Sequence, residues 1–288
     1  MRMLNHKRIK ENMSLRFWKD RVYKWIFSIA MLFSVMILIV LLYQILEKGI
    51  DYLSVDFLIH FASRHPDQTG IAAALSGTIL FMSIVAPVSF ILGVSTALYL
   101  EHYAKQSIFT RMIALNIQTL AGVPSVVFGL LGLTIFVYAF QLGESIVAAA
   151  LTMSLLSLPT VVVSSQEAIR MVPNGLLEAS YGVGATKWQT MYQVVLPAAL
   201  PGILTGCILA LSRAIGEAAP LLVIGALAFA NYIPFGIFDR FTVLPIQIFN
   251  WMSRPQEEFQ YVAAAGMIVL LGLLLIMNAF VLWLRNRK

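Results

Sequence analysis

The sequence predicts an all-α integral membrane protein with six transmembrane helices, on three observations. Of its 288 residues, 59% are hydrophobic and 12% are charged, and mean hydropathy is +0.83, which is outside the range of soluble domains. Apolar runs long enough to cross about 30 Å of hydrocarbon occur six times. The basic residues behind the net charge of +6 gather beside those runs, which is how membrane insertion distributes charge and not the stripe that nucleic acid needs. With no water in the bilayer core the backbone must bond to itself, so runs of this length are helices and not barrel strands.

Residues 1–21 form a basic tail carrying Arg2, Lys7, Arg8, Lys10, Arg16, Lys19 and Arg21. The first span, about 22–46, is too long for a signal-peptide core and has no small-residue cleavage site after it, so it is expected to stay as an anchor. A polar external loop follows over 47–70. The second span, about 71–100, contains Pro87 and is expected to kink there. The third runs from about 112 to 140 and the fourth from about 145 to 165, joined by a tight turn at 141–144. The fifth covers about 199–229. A longer loop, 230–260, leads to the sixth at about 261–284 and a short basic tail at 285–288. If the amino terminus is cytoplasmic, inside segments hold 15 basic residues and outside segments four, with Arg213 inside the membrane. Both termini and the stretch between spans four and five are therefore expected on the cytoplasmic side.

That stretch, Glu178 to Pro197 (EASYGVGATKWQTMYQVVLP), is the longest polar interruption between the two halves of the chain. MVPNG ahead of it supplies a turn from which a helix can start. Glu178 early and Lys187 late suit the dipole of a single helix over about 174–193. Small residues (Ala179, Ser180, Gly182, Gly184, Ala185) alternate with bulky ones (Tyr181, Trp188, Tyr192), which predicts a short helix lying flat, its small side open to another protein. Leu196-Pro197 is expected to stop it. Glu178-Ala179-Ser180, Gly184, Val194 and Leu196-Pro197 resemble the EAA signature of ABC importer permeases, with Ser180 in place of alanine and Val194 in place of isoleucine. The resemblance implies that this segment is a coupling helix, which inserts into a cleft on a separate ATPase subunit. It also implies the MetI-like fold of type I importers.

Span five contains an ionisable pair, Arg213 and Glu217, at a depth where charge is expensive. On a helical wheel Gly202, Gly206, Ala210, Arg213, Glu217 and Pro220 share a wedge about 80° wide, which is expected to face the bundle because small residues allow helices to approach closely. Counting turns from Ala199 places Arg213 near the bilayer midplane. One reading makes the pair a structural ion bridge pinning span five to its neighbours. The other puts Arg213 on an anion route, since a guanidinium keeps its charge when desolvated and its fork of donors fits tetrahedral oxyanions. Glu217 would then hold the fork, or accept a hydrogen bond from a protonated oxyanion. Within span three, Gly122, Pro124 and Ser125 mark either a packing kink or a hinge with exposed backbone near a route.

RAIGEAAPLLVIGA (213–226), AGVPSVVFGLLG (121–132) and TVLPIQIFNW (242–251) resemble the PstA family, permease subunits of phosphate ABC importers, and the likeness extends from about residue 70 to the carboxyl terminus. It implies phosphate import as half of a membrane domain. The implied partners are a sister permease (PstC-like), an ATPase dimer (PstB-like) that binds the ATP and Mg, and an external phosphate-binding protein (PstS-like), all at a bacterial or archaeal plasma membrane. No cofactor is expected on this chain itself. It has no G-x-x-x-x-G-K-[ST] loop, its four histidines lack metal-ligand spacing, and lone Cys207 forms no internal disulfide. No nucleophile–histidine–acid set is apparent, so no catalytic residue and no metal site are assigned. The alternatives are a permease for sulfate or molybdate, a PstC-type sister subunit, an ion-coupled secondary transporter, which should show inverted repeats, and a scaffold without transport.

Overall fold

The computed structural model describes residues 6–105, 107–227 and 229–286. Arg2, Arg287 and Lys288, counted above in the basic tails, lie outside the described residues. Regular structure among the described residues is helical throughout. Helix α1 (His6–Gly49) takes in much of the basic tail as well as the first span, and it is followed by a short 3₁₀ turn. The loop at 47–70 contains α2 (Val55–Ile59), started by Ser54, whose side chain accepts from the Phe57 amide, and a second 3₁₀ turn. Helix α3 (Ala72–Leu98) continues through a π-helical turn, Tyr99–Tyr103.

The third span is not one helix. It consists of α4 (Ile108–Leu120) and α5 (Ser125–Gly132), the latter running on as a π-helix to Ala139, and the two parts meet at 108°. Pro124 caps α5 from an extended conformation, and a proline at this point can neither donate to the preceding turn nor leave its predecessor helical. Among the described residues five helices are thus long and apolar enough to cross a membrane, or six if the bent pair counts as one. Helix α6 (Ile146–Arg170) starts at Ser145, whose hydroxyl caps the Ala148 amide, and it is the most buried of the five.

After α6 come α7 (Asn174–Gly182), α8 (Lys187–Thr190), a π-helical stretch Met191–Val195, and α9 (Leu196–Gly216). Lys187 to Gly216 is one continuous rod, so Leu196-Pro197 does not end a helix. In the π turn ahead of it the Leu196 amide donates five residues back, to Met191. Pro197 therefore enters in the first turn of α9, where its missing donor and fixed φ are tolerated. Because the rod begins at Lys187, counting turns from Ala199 does not place Arg213 in the bilayer.

The fifth span breaks again at Glu217, where the backbone becomes extended, and resumes as α10 (Ala219–Ile224), closed by Gly225 in the left-handed region. It therefore ends well before Phe229. The expected loop at 230–260 contains α11 (Leu244–Met252), in which Leu244, Ile246, Gln247 and Trp251 are buried. The chain closes with α12 (Glu258–Asn286).

Helix α6 lies at the centre, packed against α3, α4, α5, α9 and α10. One apolar cluster joins α3, α6, α9, α10 and the segment leading into α11, with Phe81 stacked on Phe241. A second surrounds the far end of α6 and the rod at Met191, Val195 and Ile203. A third gathers Phe57, Ile71, Trp251 and Phe259 under α11. Arg254 lies over the Phe259 ring, 4.2 Å from its centroid. In the connection before α11, burial first and Asp239 second push the Tyr232 phenol above its ordinary value. It keeps its proton and donates to the Arg240 carbonyl at 2.7 Å.

The seat of α11 depends on a glycine. A Cβ at Gly77 would collide with the Thr242 carbonyl oxygen, next to the point where the Leu244 amide donates to Thr78 Oγ1 at 2.9 Å. Gly77→Ala is expected to lose about 1–3 kcal/mol through forced backbone displacement. Gly272→Ala, where a Cβ would meet nothing, should be neutral. Thermal unfolding of the two detergent-purified variants checks the contrast.

Candidate functional site

Two regions carry the residues singled out in the sequence. The first is α7 and the turn after it. Val183 follows the last helical residue, Gly184 takes φ +85°, the Gly184 amide donates to Tyr181 and the Ala185 amide reaches back to Ser180. This is a Schellman closure. A left-handed residue is required there, and only glycine adopts it without strain. Thr186 then opens α8 with a reciprocal capping box to Gln189. The segment is thus two helices with a corner between them, and Glu178 and Lys187 stand on different helices instead of at the two ends of one.

Helix α7 has no buried residue. Glu178, Ala179, Tyr181, Gly182 and Gly184 are exposed, and a Cβ at Gly182 or Gly184 would meet no atom of this chain. Ser180 turns inward, its hydroxyl 2.9 Å from that of Thr190, and so ties α7 to α8. Leu196 and Pro197 lie in the rod, distant in sequence from the corner, and support the segment without belonging to its exposed surface.

The second region is the end of α9. The structure brings Arg213 and Glu217 together, Nε to Oε1 at 3.3 Å, although Glu217 is past the helix end and its extended backbone folds the carboxylate back. The wedge that contains them divides. Gly206, Ala210 and Pro220 are buried, and a Cβ at Gly206 would strike Ser164 of α6. The Arg213 side chain is 62% exposed and that of Glu217 21%. Arg213 belongs to an exposed stripe with Pro201, Thr205, Leu209 and Gly216, so the pair does not pin α9 to this chain's own helices. The residue before it does, because Ser212 donates to Asn278 of α12 at 2.9 Å.

Gly122, Pro124 and Ser125 occupy the 108° corner between α4 and α5 with their backbone largely exposed. The two breaks are related. Each begins a short helix, α5 or α10, and these helices pack together so closely that a Cβ at Gly129 would come within 2.8 Å of the Pro220 Cα.

Three polar ties have no signal in the sequence, since they join residues far apart in the chain. Glu101 accepts from Arg170 and Gln166, Glu144 pairs with Arg240 at 2.8 Å, and Ser212 meets Asn278. Among the described residues no His, Cys, Asp or Glu cluster could hold a metal ion.

Exposed short helices, interrupted spans and an exposed Arg213 paired with Glu217 describe a helical membrane protein with faces left open. Residues 89–288 match the family described as the binding-protein-dependent transport system inner membrane component, and the chain belongs to that family. It is 30% identical to the probable ABC transporter permease protein YqgI of Bacillus subtilis over 92% of this chain and 94% of that one. It is also 30% identical to the phosphate transport system permease protein PstA of Yersinia pestis, over 90% and 88% of the two chains. The fold is that of the type I ABC importer permeases. A bacterial ABC transporter that imports the acidic polysaccharide alginate superposes with a TM-score of 0.65 at 15% identity, over 94% of this chain and 99% of that one.

Gly184→Ala is expected to strain the corner by about 1–2 kcal/mol, to fray α7 and to weaken co-purification of an ATPase subunit. Gly182→Ala lies in regular helix with open space around it and should leave co-purification unchanged. Pull-down of the assembled complex compares the two.

Proposed function

We propose that this chain is a PstA-type permease subunit that moves inorganic phosphate inward as half of an ATP-driven importer. A PstC-like sister permease completes the route. A PstB-like ATPase dimer holds ATP and Mg and docks on α7, and a PstS-like protein delivers phosphate from outside. Both termini and α7 face the cytoplasm in this reading. Its support is the basic-residue distribution and the family, whose members depend on a binding protein.

The observation that carries the proposal is the position of Arg213, exposed on the open stripe of α9 with Glu217 beside it. A cation there faces whatever lies between this chain and its neighbour. Enclosed by a sister subunit, it would sit in a low dielectric, where its attraction for an oxyanion is much stronger than in water. Glu217 neutralises it when the route is empty and can accept a hydrogen bond from the hydroxyl that phosphate keeps near neutral pH and sulfate lacks. The phosphate transport name of the Yersinia pestis relative supports the same substrate. Closure of the ATPase dimer would displace α7, and the spans would rock so that the route opens to each side in turn.

The test is radiolabelled phosphate uptake into proteoliposomes containing all subunits. Arg213→Ala should reduce ATP-dependent uptake to background while the complex still assembles, and normal uptake by that variant removes Arg213 from the route. Glu217→Gln should lower discrimination against sulfate, seen as stronger inhibition of phosphate uptake by added sulfate. Sulfate uptake by the unmodified complex in place of phosphate would favour the other-oxyanion reading.

A further inference from the structure

Helix α7 is joined to the spans by two stems, and the same turn of α3 holds both. On the entry side α6 ends at Arg170. Its Nη2 lies 2.7 Å from Glu101 Oε1, and its Nε donates to Oε2 at 2.9 Å. One turn earlier, buried Gln166 donates to the same Oε1 at 2.9 Å. On the exit side Lys187, the first residue of α8, places Nζ 4.8 Å from the centre of the Tyr103 ring. Glu101 and Tyr103 both belong to the π-helical turn Tyr99–Tyr103. Between the stems, α7 has no fully buried residue, and only half-buried Leu177 and Ser180 rest against the rest of the chain.

The entry grip is more than a loose surface pair. An isolated exposed ion pair contributes little, but here one carboxylate takes three donors, two of them from a planar fork that fixes its direction. The Glu101 side chain is 15% exposed. The exit grip is a cation over a ring, weaker but independent of the first. A load on α7 that moved its stems relative to the bundle would have to break one of these contacts or carry the turn with it. That turn continues directly into α3, which packs along α6, where a Cβ at Gly93 would run into Val161. π-helical turns are local departures from α geometry that recur at functional sites.

We propose that the turn Tyr99–Tyr103 passes motion of α7 into the spans, with Glu101 as the positioning residue. The inference rests on the reading that α7 docks an ATPase.

The experiment uses the full complex in proteoliposomes with its external binding protein, following ATP hydrolysis and phosphate uptake together. Glu101→Gln should assemble normally and still hydrolyse ATP, but phosphate moved per ATP should fall roughly tenfold, within the span that network substitutions produce. The charge exchange Glu101→Arg with Arg170→Glu should recover most of that ratio, and Tyr103→Leu should lower it by a smaller factor. An unchanged ratio in Glu101→Gln overturns the proposal. So does a loss of uptake in both Glu101→Gln and Tyr103→Leu that merely follows loss of assembled complex, because the contacts are then only a staple. If the unmodified complex hydrolyses ATP without moving phosphate, the substrate reading fails separately. The turn is then judged by how far the binding protein stimulates hydrolysis, and equal stimulation in Glu101→Gln and the unmodified chain rejects it.

Discussion

Close packing around α6 is the constraint on which the rest of the structure depends. Helices in lipid gain no hydrophobic stabilisation from one another, so they associate through van der Waals contact and a few polar ties, which require small residues at the contact. Helix α6 supplies them as Ala148, Ala149, Ala150, Ser154 and Ser157, all buried. Its buried hydroxyls at Thr152, Ser154 and Ser157 bond to carbonyls one turn back in the same helix, so they add no unpaired group to an apolar layer. The rod Lys187–Gly216 answers with Gly202 and Gly206, which leave room for Ala168 and Ser164. With α6 fixed in this way, α3 and α9 flank it and the open stripe of α9 points away from the chain's own core.

The departures from regular helix fall beside the short helices α5, α7, α8 and α10. Breaks at 121–124 and 217–218 interrupt the helical bonding that backbone in hydrocarbon requires, and both stand at the start of the packed pair α5 and α10. The residue after the first break opens α5, while Arg213 lies one turn before the second break and Glu217 begins it. The corner at Gly184 and the π turn at Met191–Val195 do similar work at the other end, letting α7 project while the rod runs on through Pro197. Under the proposed function, the irregular backbone, the exposed charge and the exposed short helix belong to one mechanical scheme, connected by spans that are themselves tightly held.

Much of the architecture was legible because apolar run length fixes spans almost unaided. The helices of spans two, four and six lie close to their sequence ranges, whereas that of span one starts well inside the predicted basic tail, at His6. The errors share a cause. Leu196-Pro197 looked like a stop because proline rules describe α-helices, whereas the preceding turn is π-helical and shifts the bonding register. In span three, Gly122, Pro124 and Ser125 marked the place of the break, but hydropathy does not register direction, so the 108° size of the corner had no signal. The 230–260 segment looked like a loop because nine residues of α11 are too few to read as a span, although their burial makes them part of the core. Arg213 was placed on the bundle face by angle alone. The angle was sound, but a helix packed on one side leaves part of the same wedge open. The grip of Glu101 on Arg170 had no local signature, since 69 residues separate the pair.

The central claim is that motion of this membrane wall is driven by ATP hydrolysed on another subunit and delivered through α7. The most direct measurement compares vesicles holding the complete assembly with vesicles holding this chain alone, each supplied either with ATP inside or with a proton or sodium gradient. The account predicts uptake only in the complete assembly and only with ATP, unaffected when ion gradients are collapsed. Solute uptake by the isolated chain under an ion gradient would contradict it.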